Sequence, residues 1–457
     1  MQCAFSVFLE AGRVQRDKLA ALFDAFGTRF DADMFLSGVT EENAPLRRSA
    51  NTCIIGIAPV TELVINATTT RKQIKAFCFN TGNETLGYLS YTYGMHERGI
   101  ASTKQNDLPL GHFRQYSILI KVHLATGFLE CNALPSASRK TLRELKELCS
   151  TPPVCSEFLP AQMDFTHFTA SMGRDTYVHG VEQVLEHIRR GDTYQLCLSS
   201  AFSLDVPDHF STEHTIATEK TSATRSDALG LFMHLWREYP AAYYAWFSTD
   251  QTKIISTSPE CFLRVENGDI FSEPIKGTLA FDTYSEDLLA ELSESPKESA
   301  ELSMIVDLIR NDISAHCAYG SVQVERHKDI FIVDNMLQMY STVRGTLKNE
   351  STCLDLLLDA FPGGSITGCP KQRTMNIIEE LEPHSRDLFC GSLLHIQNEK
   401  TLHSSIAIRT GWFTSDCNGI RKFRYYAGSG LVIDSIPERE FEETIAKAEK
   451  FRKVLST

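Results

Sequence analysis

Excess basic charge is the first thing missing. Across 457 residues, 45 Lys and Arg face 58 Asp and Glu, a formal charge of −13. General nucleic-acid binding needs a basic footprint, so that class is excluded. Long apolar runs are missing too; the hydrophobic stretches are short and broken by charge, which excludes a transmembrane helix. The opening, Met-Gln-Cys-Ala-Phe-Ser-Val-Phe-Leu-Glu, has neither a basic start nor an extended apolar segment, so a signal peptide is not expected. Thirteen cysteines, an odd number, include no Cys-x-x-Cys. A disulfide framework or zinc site fits this poorly; small buried hydrophobes in a reducing cytoplasm fit better. There is no internal repeat and no low-complexity tract.

What is present is a soluble globular composition, 42% apolar and 23% charged. The length holds one large domain or two to three ordinary ones. Short strand-like runs such as Thr52 to Ala58 and Tyr116 to Val122 fill the first part, followed by a helix from Arg139 to Cys149. Thr151-Pro152-Pro153 to Pro160 reads as a boundary between an N-terminal subdomain, 1–160, and a larger unit, 161–457. In the second unit a helix from Tyr177 to Arg190 precedes a strand from Thr193 to Leu198, and further strands run consecutively. Strands in runs, with helices inserted between them, predict an α+β fold: large antiparallel sheets in a sandwich covered by helices.

The densest chemistry lies around Phe271-Ser-Glu-Pro-Ile-Lys276-Gly277-Thr278. Upstream, Ser258-Pro259-Glu260 leads into apolar–polar alternation across Asn267-Gly268, a strong hairpin signal. Counting outward pairs Glu260 with Ile275, so the carboxyl and the Lys276 amine become near neighbours. A strictly regular ladder aims them at opposite faces; one bulge beside Pro259 or Pro274 would bring them to the same face. Pattern alone does not separate a working acid–amine pair from an exposed ion pair.

Ser295-Pro296-Lys-Glu298 caps the next helix, whose stripe is Leu302, Ile305, Val306 and Ile309. Glu298 and Glu301 share one side of its first turns. The last helix repeats the pattern: Ser435 and Glu438 form a capping box, and Glu440, Glu443 and Lys447 share a face. Read alone, Glu443 and Lys447 are a surface salt bridge. Two glutamate pairs without nearby His or Cys suit a hard cation, with Mg2+ the natural candidate. Phe361 to Lys371 carries Gly363-Gly364-Ser365 but lacks the Gly-Lys-Ser/Thr of a phosphate-binding loop. Its amides, those at Gly428-Ser429-Gly430 and an Arg409 fork suit a small molecule bearing carboxylates. A buried ion pair is the alternative for Arg409.

Together these stretches resemble the chorismate-utilising enzymes, a family of anthranilate, aminodeoxychorismate, isochorismate and salicylate synthases. The resemblance rests on Gly191 to Gln195, Ser258 to Glu260, Pro274 to Thr278, Met304 to Asp312, Phe361 to Lys371 and Glu440 to Thr444. The first 160 residues match loosely, chiefly at Gly87 to Gly94. Anthranilate synthases look like Pro-Ile-Ala-Gly-Thr where Lys276 stands here, and isochorismate and salicylate synthases place a water-activating Lys where this chain has Gln195. The chain thus resembles the aminodeoxychorismate (para-aminobenzoate) synthase branch, component I. Anthranilate synthase and a non-catalytic chorismate- or amino-acid-binding subunit are the alternatives.

The resemblance implies roles residue by residue. Glu260 would be the general acid, its pKa raised by burial, and an uncharged Lys276 the nucleophile. Glu301 and Glu443, assisted by Glu298 and Glu440, would hold magnesium. Arg409, Gly277, Thr278, Gln338, Ser365, Phe389, the amides of Gly428, Ser429 and Gly430, and Lys447 would surround chorismate. Gln338 stands where relatives have His, which puts a proton-transfer role there in doubt, and Phe389 replaces a Tyr. A separate glutamine amidotransferase subunit would supply ammonia. Ser37 marks an N-terminal pocket of the kind that holds tryptophan in some relatives.

Overall fold

The computed structural model describes residues 1–9, 16–37, 52–153, 168–206, 214–218, 221–225, 227–238, 241–281, 284–333, 336–415 and 421–456. Most of the expected 151–160 boundary therefore lies outside the described residues. Among the described residues, eleven helices accompany one sheet of twenty strands, with a separate two-stranded hairpin. The architecture is α+β, as the succession of strand runs and inserted helices predicts.

The sheet can be followed as one antiparallel path. The Lys276 strand, Ile275–Ala280, pairs with Met336–Thr346, which also holds Asp269–Ser272. From there the path runs through Cys261–Glu266, Thr401–Ile406, Ser392–Asn398, Thr85–Leu89 and Gly111–His123. It continues through Thr52–Ile65, Ala32–Ser37, Tyr243–Ser248, Thr252–Ser258 and Thr410–Ser415. Arg421–Leu431 and Gln195–Val206 close it. Strands from before and after residue 160 thus interleave in a single ladder. Strands distant along this path nevertheless meet: a Cβ placed on Gly430 would stand 3.3 Å from Lys276 Nζ. Twist and folding of the sheet bring these distant strands face to face.

Helix stripes fill the space between the layers and outside them. Leu302, Ile305, Val306 and Ile309 of the helix Pro296–Ser314 are buried in one apolar cluster with Val265, Ile270, Leu337 and Met339. Pro296 opens that helix and Ser295 Oγ accepts from Glu298 N, as read from sequence, while Ser295 N donates to Leu292 O and not to Glu298, so the expected capping box is only half formed. Arg310-Asn311-Asp312 reads in the sequence as the end of this helix, but it runs on to Ser314. Tyr177, Val181, Val184 and Leu185 of Arg174–Arg189 pack against Leu196, Leu198 and Leu431. No described helix is long and apolar enough to cross a membrane.

One element did not form as expected. The alternation from Leu402 to Thr410 predicts a single strand, but it splits into Thr401–Ile406 and Thr410–Ser415. Arg409 sits in the corner between them at φ +49°. Alternation describes both halves equally well and says nothing of a bend, because a corner leaves side-chain polarity unchanged.

The loosely matching N-terminal part does hold the Gly363 loop in place. The helix Tyr91–Glu97 presses Gly94 on the loop, where an added Cβ would lie 2.5 Å from Pro362 Cδ. Arg98 Nη2 donates to the carbonyls of Phe361 (2.8 Å) and Asp359 (3.2 Å). Gly94→Ala must therefore push the loop or the helix aside. Overpacking of this kind costs about 1–3 kcal/mol. Thermal denaturation of Gly94→Ala should show a lower midpoint than the wild type; an unchanged midpoint would mean that the two elements separate freely.

Candidate active site

Two register shifts shape the central hairpin. Arg264, Val265 and Glu266 face Phe271, Ile270 and Asp269 across Asn267-Gly268, as the turn predicts. Beyond that the strands part, so Glu260 and Ile275 are not a ladder pair. The register of the Lys276 strand carries through Pro274 unchanged and shifts only at Gly277, which has φ +79°. A second shift falls between Cys261 and Leu263. The irregularities thus lie one residue after Lys276 and next to Glu260 rather than beside the prolines. Glycine permits the first because it alone adopts this φ without strain.

Glu260 is 9% exposed, and its Oε1 accepts from Ser365 Oγ at 3.0 Å. Burial raises its pKa to about 7; the neighbouring Lys276 charge and the Ser365 hydrogen bond oppose the rise only in part. A carboxyl in this state holds a proton near neutral pH and can give it up. Lys276 is half-buried, and its Nζ lies against Gly430 at the seam where two distant strands meet. Any side chain at Gly430 would crowd the amine.

Beside that amine lies a residue that sequence reasoning named only to separate branches. Gln195 is 2% exposed, and neither Nε2 nor Oε1 has a hydrogen-bond partner. Its Nε2 would be 3.6 Å from the same imagined Gly430 Cβ. An unpartnered buried amide costs on the order of 1–3 kcal/mol, so it signals a group that awaits something. Composition and periodicity carry no trace of this, since the residues meet only through closure of the sheet.

The acidic residues divide. Glu298 packs on Gly277, within 3.1 Å of where a Cβ would be. Burial pushes the Glu301 carboxyl up; Lys276 and Lys297 offset this, while Glu298 and Glu440 add to it. Glu298, Glu301 and the buried Glu440 thus form one electrostatic neighbourhood around Lys276. Glu443 is half-exposed and paired with Lys447 at 2.7 Å, while Lys447 Nζ also donates to Gly428 O at 3.1 Å. Among the described residues no three His, Cys, Asp or Glu side chains already converge as a metal-holding group. The donor chemistry nevertheless fits a hard divalent cation, since all four offer only oxygen. The crowding that raises Glu301 is also one that a cation would relieve.

The remaining candidates are placed as follows. Gly428 and Gly430 face the seam, while Ser429 alternates to the opposite side, its hydroxyl 3.2 Å from Tyr177 Oη. Phe389 is buried and stacked on Tyr426, rings 5.2 Å apart. Gln338 is buried opposite Thr278, whose side chain lies outside the described residues. Arg409 is half-buried and has no ion-pair partner among the described residues. Ser37 ends a strand opposite Tyr243, with its side chain likewise undescribed.

The family model for chorismate binding enzymes matches residues 46–453. The Escherichia coli aminodeoxychorismate synthase component 1 is 36% identical over 309 residues, covering 65% of this chain and 62% of that protein. The probable chloroplastic aminodeoxychorismate synthase of Oryza sativa is 36% identical over 294 residues, 63% of this chain, but the match spans only 30% of that relative's length. The anthranilate synthase component 1 of Geobacillus stearothermophilus is 28% identical over 436 residues, 90% of this chain and 80% of that protein. Among solved structures, anthranilate synthase component I from Streptococcus pneumoniae superposes with a TM-score of 0.69 at 24% identity, over 90% of this chain and 94% of the other.

The state of Glu260 leaves a signature in stability. Its native pKa of about 7 exceeds the ordinary 4.5, so between those values the native protein binds more protons than the unfolded chain. The stabilising contribution of this group is therefore full below pH 4.5 and lost as pH rises towards 7. Glu260→Gln is neutral throughout and escapes the loss. Urea denaturation should show this variant gaining on the wild type between about pH 5 and pH 8, by up to on the order of 3 kcal/mol. A stability difference that stays constant over that range would mean the carboxyl is solvated.

Proposed function

The chain belongs to the chorismate binding enzymes, and from that premise we propose that it aminates chorismate to 4-amino-4-deoxychorismate, as component I of an aminodeoxychorismate synthase. The observation that carries this reading is the Lys276 amine lodged at the sheet seam beside a buried Glu260 whose pKa is raised to about 7. Anthranilate synthases, in the resemblance drawn above, have no amine at this position.

The reaction is derived from those two groups. Glu260 gives its proton to the ring hydroxyl; the C–O bond breaks with its electron pair, and water leaves. The Lys276 nitrogen, once it has given up its ammonium proton, attacks the ring with migration of a double bond; a C–N bond forms, and the proton displaced from that nitrogen returns to the Glu260 carboxylate, leaving an amine adduct. Ammonia then attacks, the ring–lysine bond breaks, and the lysine nitrogen recovers a proton from the incoming nitrogen. Summed over both halves, chorismate and ammonia give the amino product and one water. The Gln195 amide, buried and unpartnered against the same seam, offers an acceptor and a donor to the incoming nitrogen.

Glu301 and Glu443, with Glu298 and Glu440 beside them, would hold magnesium. When bound, the ion supplies positive charge to anchor the ring carboxylate. Arg409 is left free to fork onto the enolpyruvyl carboxylate. Ammonia would come from a glutamine amidotransferase subunit. The described cysteines are all free thiols, which fits work in a reducing cytoplasm.

Anthranilate synthase is the second reading, favoured by the Geobacillus relative that covers 90% of the chain. The product separates the two. Chorismate incubated with the protein, ammonium and magnesium should yield a non-aromatic amine that retains its enolpyruvyl group, with no free pyruvate. Release of pyruvate with a fluorescent aromatic amine would overturn the proposal in favour of the second reading.

A further inference from the structure

Glu260 borders a second space that none of the chemistry above uses. A narrow, partly open cavity runs from its carboxyl past Ser365 and Ser272 to Ile309, Asp312 and Ile313 on the helix Pro296–Ser314. Lys276, Gln195 and Gly430 do not line it. Asp312 lies about three turns beyond Glu301 on that helix, so the cavity leads away from the glutamates near Lys276. Its far end is fixed by charge: Lys371 Nζ pairs with Asp312 Oδ2 at 2.8 Å and donates to Ala360 O at 2.6 Å. The space is far too small for chorismate, and its size matches a single water molecule.

The lining suits such a molecule. A buried water needs two to four polar partners. Glu260, Ser365, Ser272 and Asp312, four residues with polar side chains, all line the cavity. Ser365 Oγ already donates to Glu260 and Ser272 Oγ to Phe262 O, at 2.9 Å in the second case, so each hydroxyl retains a free lone pair. The apolar remainder, with Ile309 and Ile313 four residues apart on one helix face, keeps the molecule from wandering elsewhere.

We propose that this cavity is a water-binding site behind the general acid, which receives the water lost from the ring. The proposal rests on the amination reading. Cleavage of the C–O bond with a proton from Glu260 makes a neutral water within reach of Glu260 itself. Left on the Lys276 side, that water competes with the amine for the ring carbon. Moved past the carboxylate into the cavity, it hydrogen-bonds to the group that has just lost its proton, and the forward reaction is favoured.

Two measurements test the site. In a crystal structure of the full, ligand-free chain that orders solvent, a water should lie about 2.6–3.2 Å from a Glu260 carboxyl oxygen on the Ile309 side. Ile309→Phe, or Ile313→Phe should the first fold poorly, fills the cavity from the helix side and leaves Lys276, Glu298, Glu301, Glu440 and Glu443 in place. Either should lower kcat for chorismate consumption with ammonium about tenfold or more while changing KM less than about twofold. A dry cavity in the unaltered protein overturns the proposal, and so does a folded, filled variant with unchanged kcat. Failure of the amination reading shows separately, as an unaltered protein that consumes no chorismate.

Discussion

The architecture turns on the burial of one carboxyl beside one amine. Glu260 alone in the interior is disfavoured as an anion, and its pKa of about 7 records that penalty after Lys276 has offset part of it. The same desolvation makes the pair useful, because it keeps a proton on an acid at a pH where water-exposed glutamates have lost theirs. The pair needs walls that keep bulk water away from the Glu260 carboxyl. Two of those walls are distant strands of one antiparallel ladder, closed on each other at Gly430 and Lys276.

Polar groups around the seam fall into two kinds, and the difference assigns their work. Glu382 and Arg386 are fully buried and fully paired. Arg386 Nε and Nη2 donate to the two carboxylate oxygens at 2.9 and 2.8 Å, and its remaining N–H groups reach Cys197 O and Ile366 O. Glu382 also accepts from Ser199 N and Oγ, both at 2.8 Å. Burial pushes the Glu382 carboxyl up, but Arg386, His384 and Ser199 together hold it below its ordinary value. This network pins the Gln195 strand to the segment that carries Ser365. Gln195 is the opposite case, buried with its amide unspent. Satisfied groups hold the frame; the unsatisfied ones mark where a ligand completes the structure.

Local chemistry was legible in the residues. Asn267-Gly268 named its hairpin and the pairing of Glu266 with Asp269, and Ser295-Pro296 named the start of the longest stripe around the site. The alternation of strand runs and helices sufficed for the α+β class. Long-range closure was not legible. Gln195, Lys276 and Gly430 are far apart in sequence, and no periodicity says that strands so distant along a ladder will touch. The bulge at Gly277 was expected beside a proline; a glycine's positive φ is invisible in a pattern of polarity. Arg409 at its corner and the Glu382–Arg386 network were hidden for the same reason: each depends on which strands meet and not on which residues follow one another.

The central claim is that Lys276 forms a covalent bond to the substrate. Mass spectrometry of the intact protein incubated with chorismate, in the absence of ammonia, tests it directly. The account requires a mass increase equal to chorismate less one water, mapped to the peptide bearing Lys276 and absent in Lys276→Ala. An unmodified protein that nonetheless aminates chorismate when ammonium is added would contradict it.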